Sequence, residues 1–165
     1  MDFAKTANGI EMLLNQSEAL ILCNCFQELL NDYTVPPREL PEELEAAWYQ
    51  SDHHRASGLS PEETEMMLEE HQLFRSSFCE QLKEWVRKLA MPPEAGVRLG
   101  IPLETVDTFL ITINDFRLKR AAEYGISEEM MNSHLTNIPN PDQRIACLEI
   151  NVFGDMLGHL ISILG

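Results

Sequence analysis

The stretch from Leu103 to Gly125, LETVDTFLITINDFRLKRAAEYG, constrains this chain most, because it reads as one long helix with a defined start and stop. Pro102 stands where proline is tolerated, since first-turn N–H groups have no partner within a helix. Val106, Phe109, Leu110, Ile113, Phe116, Leu118 and Ala121 recur at steps of three and four and make a broad apolar face. Gly125 adopts the left-handed stop conformation cheaply, and Ile126 follows where a residue folds back on the last turn. The spacing predicts a helix over 103–124. Asn114 and Arg117 interrupt its apolar face. An unpartnered buried polar group costs roughly 2–7 kcal/mol, so these two either find partners inside the molecule or face something. In the internal version Arg117 pairs with a carboxylate of a neighbouring helix, Asp155 being the candidate, and Asn114 caps or bridges. Asp115 can pair with Lys119 one turn on.

Two further stretches share this character. Ser60-Pro-Glu-Glu63 is a capping box with proline at the first helical position, and it predicts a helix over 61–90. Met67, His71, Phe74, Phe78, Leu82, Trp85 and Leu89 form its packing seam, with glutamates near its start and Lys83, Arg87 and Lys88 near its end, as the helix dipole favours. Asn140-Pro-Asp-Gln143 opens the last helix, 141–164, which is apolar around most of its circumference. Such a helix belongs in the middle of a bundle or across a dimer interface, so a homodimer through residues 141–164 is expected. Glu149, Asn151, Asp155 and His159 break its apolar run, which reads as a core helix rather than a membrane span. Gly154 and Gly158 let another backbone approach it.

Shorter elements complete the pattern. Asn8-Gly9 predicts a hairpin over 3–14 that pairs Phe3–Ala7 with Ile10–Leu14. Asn15-Gln-Ser-Glu18 starts a helix over 16–31, Leu40, Leu44 and Trp48 mark a helix over 41–50, and Ser127 caps one over 128–135. Residues 51–59 read as an exposed loop and 94–101 as a connector. The fold class expected is all-α: a single domain over 1–165, built as a helical bundle with a small N-terminal β-hairpin. At 165 residues such a chain needs no metal or disulfide staple.

Charge narrows the partners. The formal net charge of −15 repels phosphate backbones and anionic lipid, so nucleic acid and membrane are poor partners and basic protein surfaces are favoured ones. With 44 % hydrophobic and 24 % charged residues the composition is globular rather than disordered. The four cysteines, Cys23, Cys25, Cys79 and Cys147, form no Cys-x-x-Cys pair and read as buried thiols of a reducing compartment. The opening residues lack the pattern of a signal peptide, and a cytoplasmic location is expected.

No residue pattern carries a reaction. His53-His54 beside Asp52 could bind a divalent ion, but adjacent histidines diverge and the spacing supplies no third ligand. His71 falls on the seam and reads as a core or boundary histidine. Leu68 stands where a di-iron Glu-x-x-His motif ending at His71 would need its acid. Asp155 and His159 are one turn apart, with no nucleophile nearby in sequence. No catalytic residue, metal site or cofactor is therefore assigned. Asn114, Asp115, Arg117 and Asp155 are the candidate structural or interaction residues.

The segment FLITINDFRLKRAAEYGISEE, with Asn114, Asp115, Phe116, Arg117 and Leu118 followed by Gly125 and Ile126, resembles an uncharacterised family of small bacterial helical proteins. VFGDMLGHLISIL and NGIEMLLNQSEALIL are similar to that family's last helix and its start. Its members are often encoded beside the ClpS adaptor of the Clp protease. The resemblance implies no activity, but a link to regulated proteolysis. The expected function is a non-enzymatic interaction or adaptor protein of the bacterial cytoplasm, with partners in the Clp system. The alternatives are a small metal-dependent hydrolase using Asp52, His53, His54 or the Asp155–His159 pair, and a bundle holding an apolar ligand beside the last helix.

Overall fold

A computed structural model describes the chain from Met1 to Gly165, the side chains of Ser51 and Asp52 excepted. It is mostly helical, with one small three-stranded antiparallel sheet in the order β1-β2-β3. Strands β1 (Asp2–Thr6) and β2 (Gly9–Leu14) form the expected hairpin, but in a different register: Thr6 pairs with Gly9 and Lys5 with Ile10. The loop is Ala7-Asn8, and neither residue has positive φ. Gly9 is required for another reason. A Cβ on it would stand 2.1 Å from the Ile101 carbonyl oxygen, so its role is close approach to a third strand.

That strand, β3 (Val97–Pro102), corrects the reading of 94–101 as a connector. Val97, Leu99 and Ile101 alternate with Arg98 and Gly100, and pairing with β2 carries Leu99 and Ile101 into the core beside Ile10, Met12 and Leu14. The sheet thus gains a covered face that a two-stranded ribbon lacks.

The helices follow in order. Helix α1 (Gln16–Tyr33) begins at a complete capping box on Asn15 and Glu18. Helix α2 (Glu42–Tyr49) lays Leu44 and Trp48 on the core, as expected. Gln50, in the left-handed region at φ 52°, ends α2 and turns the chain into α3 (Ser51–Ala56), where a loop was expected. The helix expected over 61–90 is two helices, α4 (Pro61–Ser76) and α5 (Cys79–Leu89). The break falls at Ser77-Phe78, where the Ser77 hydroxyl donates to the Phe74 carbonyl, and just before it the Ser76 hydroxyl donates to the Tyr33 carbonyl. Serine hydroxyls compete for backbone partners in this way and interrupt helices. Helix α6 (Leu103–Tyr124) runs unbroken to Gly125 at φ 60°, and the Ile126 N–H closes the last turn on Ala121 at 2.9 Å. Helix α7 (Glu128–Asn132) is shorter than expected, and α8 (Pro141–Leu164) ends the chain.

Helix α6 organises the interior. It packs along α8 and against α2, while α1 packs along α5. Phe26, Trp85 and Phe109 meet at centroid distances of 5.1–5.7 Å between α1, α5 and α6. Phe116 meets Phe153 at 5.0 Å between α6 and α8. Each buried side chain of this size contributes on the order of 1.5–3 kcal/mol.

Candidate functional site

The polar residues that α6 turns inward are Thr112, Asp115 and Lys119, at steps of three and four. The inward face is rotated from the one expected, since Asn114 and Leu118 are exposed. Asp115, 3 % exposed, is gripped by Arg75 of α4, whose Nε and Nη2 donate to its two carboxylate oxygens at 2.9 and 3.1 Å. The Tyr33 hydroxyl of α1 donates to the same carboxylate at 2.8 Å, and the Trp48 indole N–H of α2 donates to the Asp115 carbonyl at 3.0 Å. The Arg75 guanidinium also lies over the rings of Trp48 and Tyr49, 5.5 and 5.0 Å from their centroids. One aspartate therefore ties four helices together. Burial, together with the Asp115 charge, pushes the Tyr33 phenol far up, so it remains a neutral donor. A carboxylate saturated by three donors and shut from water is a clamp, not a general base.

One turn on, Lys119 turns away from Asp115, contrary to the expected pair. Its Nζ lies 2.7 Å from Asp32, 2.6 Å from Glu123 and 3.7 Å from Glu28. Arg120 bonds Glu28 of α1 at 2.7 Å, Glu149 of α8 at 2.7 Å and Glu123 at 2.9 Å, with its guanidinium carbon 4.5 Å from the Phe116 ring centroid. Burial works against the Lys119 ammonium, but its bonds to Asp32 and Glu123 outweigh that and hold its pKa up. This second cluster, two cations among four carboxylates, joins α1, α6 and α8.

Arg117 does not pair with Asp155. Its Nε donates to the Ile150 carbonyl at 3.1 Å, and its guanidinium packs on Gly154, where an added Cβ would stand 3.2 Å from Nη2. Asp155 is one residue further round α8 and exposed. His159 Nδ1 lies 2.9 Å from the Asp155 backbone carbonyl rather than its carboxylate, and the ring stacks on Phe3 at 5.9 Å. The proposed acid–histidine pair thus has no geometry for proton transfer. The Asp52 side chain lies outside the described residues. The rings of His54 and His71 meet at 5.6 Å, and burial, then His54, pushes His71 down. Among the described residues no group of three or more His, Cys, Asp and Glu side chains could hold a metal ion. All four cysteines are buried, and burial raises each thiol pKa, that of Cys25 most clearly.

Asn114 and Arg117 come together elsewhere, at an open cleft of about 520 Å³ between α6 and α8. Leu110, Ile111, Leu157 and Ile161 supply its apolar walls, and Gly154 and Gly158 keep one wall low. No heavy atom outside its own helix backbone and chain neighbours lies within 4 Å of a Cβ built on Gly158. The Asn114 side chain has no hydrogen bond among the described residues. On another side of α8, Ile145, Leu148 and Val152 form a half-exposed stripe. The helix is long and apolar enough to cross a membrane by length and composition, with mean hydropathy 1.4 and 28 % of its most apolar window buried. The sequence singles out Asn114 and Arg117, which line the cleft, but not Arg75 and Tyr33, which lie 40 and 82 positions from Asp115.

No protein-family model, curated protein or solved structure matches the chain.

Proposed function

We propose that this chain is a non-enzymatic interaction protein, an adaptor on a helical bundle scaffold, that receives a partner segment in the α6–α8 cleft. The carrying observation is the cleft itself: apolar walls, an Asn114 amide left unbonded and an Arg117 guanidinium at its edge. Such a mixture suits a peptide, whose backbone amides an asparagine can bond while its side chains cover leucine and isoleucine. The resemblance of residues 109–126 and the two chain ends makes the Clp system of the bacterial cytoplasm the source of that partner. Gly158→Phe tests the reading, because the new ring fills the cleft where an added side chain meets nothing. Capture from a bacterial lysate should retain Clp components on the parent chain and lose them on Gly158→Phe at unchanged melting temperature. Equal retention on both, or none on either, would refute the proposal.

A second observation favours self-association beside it. The Ile145, Leu148 and Val152 stripe is apolar and half-exposed along one side of the helix. Pairing two copies along it would remove that apolar surface from water. We infer a homodimer through 141–164, which light scattering of the parent and Leu148→Glu chains would test.

A further inference from the structure

We propose that the outer face of α4 is a docking site for a basic amphipathic helix. This deepens the adaptor reading by naming a second partner chemistry on a surface separate from the α6–α8 cleft.

Helix α4 buries Thr64 and Leu68, one turn apart, and sends Arg75 inward to Asp115. Met66 is two residues from each of the first pair, so at about 100° per residue it points the opposite way. Leu73 repeats that direction two turns on. These two side chains are 69 % and 73 % exposed, among the most exposed large apolar groups of the molecule. With Met67 they form an open groove of about 510 Å³, bordered by Glu63, Glu69 and Glu70. A helix that needed only solubility would carry polar groups at 66 and 73. Methionine is the apolar side chain that reshapes most readily to a partner, because it is unbranched and polarisable.

The rim selects the occupant. Glu62, Glu69 and Glu70 make no ion pair or side-chain hydrogen bond among the described residues, whereas Glu63 caps Ser60 and Glu65 pairs with Arg38. Arg75, the basic residue of α4, is consumed by Asp115. The groove is thus apolar along its length and negative along its edges, with no cation of its own helix to compensate. A second copy of this chain would bring like charge, and so would nucleic acid or anionic lipid. A helix with leucine-type residues at three- and four-residue steps and Lys or Arg beside them satisfies both features at once.

The probe is a fluorescein-labelled peptide of about four helical turns, Leu on one face and Lys on the other, with a Glu-for-Lys peptide as its counterpart. Anisotropy titrations should show binding of the Lys peptide, weakening as salt rises from about 50 to about 300 mM, and none of the Glu peptide. Met66→Ser with Leu73→Ser should weaken binding by roughly tenfold or more. Glu69→Lys with Glu70→Lys should do the same. Glu104→Lys with Asp107→Lys, an equal charge change on exposed positions of α6, should leave affinity within about threefold. Gly158→Phe should leave it unchanged, so failure of the cleft proposal and failure of this one are separable. Unaltered melting of each variant checks the fold. Overturning results are equal losses from the α4 and α6 charge pairs, which would mean only general attraction, or undiminished binding to Met66→Ser with Leu73→Ser.

Discussion

Replacing Arg75 with methionine keeps most of the side-chain volume and removes both hydrogen bonds to Asp115. Asp115 is then left at 3 % exposure with only the Tyr33 hydroxyl, at 2.8 Å, bonded to its carboxyl group. Breaking one side of a buried ion pair costs about 3–5 kcal/mol. In a chain of this size each kcal/mol moves the melting temperature by about 2–4 °C. Arg75→Met should therefore melt roughly 6–20 °C below the parent. Asp115→Asn alone strands the guanidinium between Trp48 and Tyr49, where the stacked rings compensate in part, so its cost should lie at the lower end of the same range, about 3 kcal/mol. The double variant carries neither charge, and the amide oxygen introduced at position 115 still accepts from Tyr33. It should recover most of the loss, leaving a coupling of about 4 kcal/mol or more between the two positions. Urea unfolding followed by far-ultraviolet circular dichroism and by tryptophan fluorescence measures all four proteins, and Trp48 reports from within the site. Additive losses, or single variants within about 1 kcal/mol of the parent, would refute the clamp.

Two further outcomes test other parts of the fold. Lys119, raised above its ordinary 10.5 in the folded chain, contributes stability that is fully present below 10.5 and is lost as pH rises through the higher folded value. Lys119→Met should cost about 1–3 kcal/mol at neutral pH and should lack that alkaline loss, read as urea midpoints compared between neutral pH and about pH 11; a parent and variant with parallel pH profiles would remove the claim. Gly96 has φ +87°, and a Cβ there would meet the Leu14 carbonyl oxygen at 2.3 Å. Gly96→Ala should cost about 2 kcal/mol or more, while Gly100→Ala, with nothing within 4 Å, should change stability by about 0.5 kcal/mol at most; thermal melts that rank the two equally would count against the sheet geometry.

The helices were legible where their ends carry chemistry. Capping boxes at Asn15 and Ser60, the Asn140 cap and the Gly125 stop each mark a boundary that local backbone bonding decides. What local signals could not decide is which side of a helix a neighbour covers. Leu110, Ile113, Asn114 and Arg117 share one side of α6 by spacing, yet the carboxylate of Asp115 is buried and the amide of Asn114 exposed, because Arg75 and Tyr33 arrive from other helices to meet Asp115. A buried carboxylate is indistinguishable from a surface one until its donors are placed. The strand β3 was legible in principle: Val97, Leu99 and Ile101 alternate, but the run is short and contains Gly100, and only pairing to β2 makes it a strand. The break at Ser77-Phe78 was hidden for a related reason. The apolar seam continues through it, and the carbonyl that Ser76 bonds belongs to Tyr33, 43 positions away.

The two ion clusters on α6 also explain how apolar groups are left for the surface. A purely oily α6 could slide or rotate against α1, α2 and α8 at little cost, since leucines tolerate many packings. Asp115 accepts a forked pair of bonds from Arg75 and a third from Tyr33, and Arg120 bridges Glu28 to Glu149, so each neighbour of α6 is held at one register by directional contacts. Buried ion pairs add little net stability compared with apolar replacements, and their best attested use is fixing an arrangement. With register fixed in this way, the α6–α8 contact need not be sealed along its whole length. Arg117 can cross to Ile150 while Gly154 and Gly158 stay small, and a cleft remains where a tightly interdigitated pair would have none. The coupling predicted for Arg75 and Asp115 therefore bears on function as well as stability. If Arg75→Met with Asp115→Asn folds at near-parental stability but loses register, capture of a partner by the cleft should fall even though no residue lining its mouth has changed except at position 115.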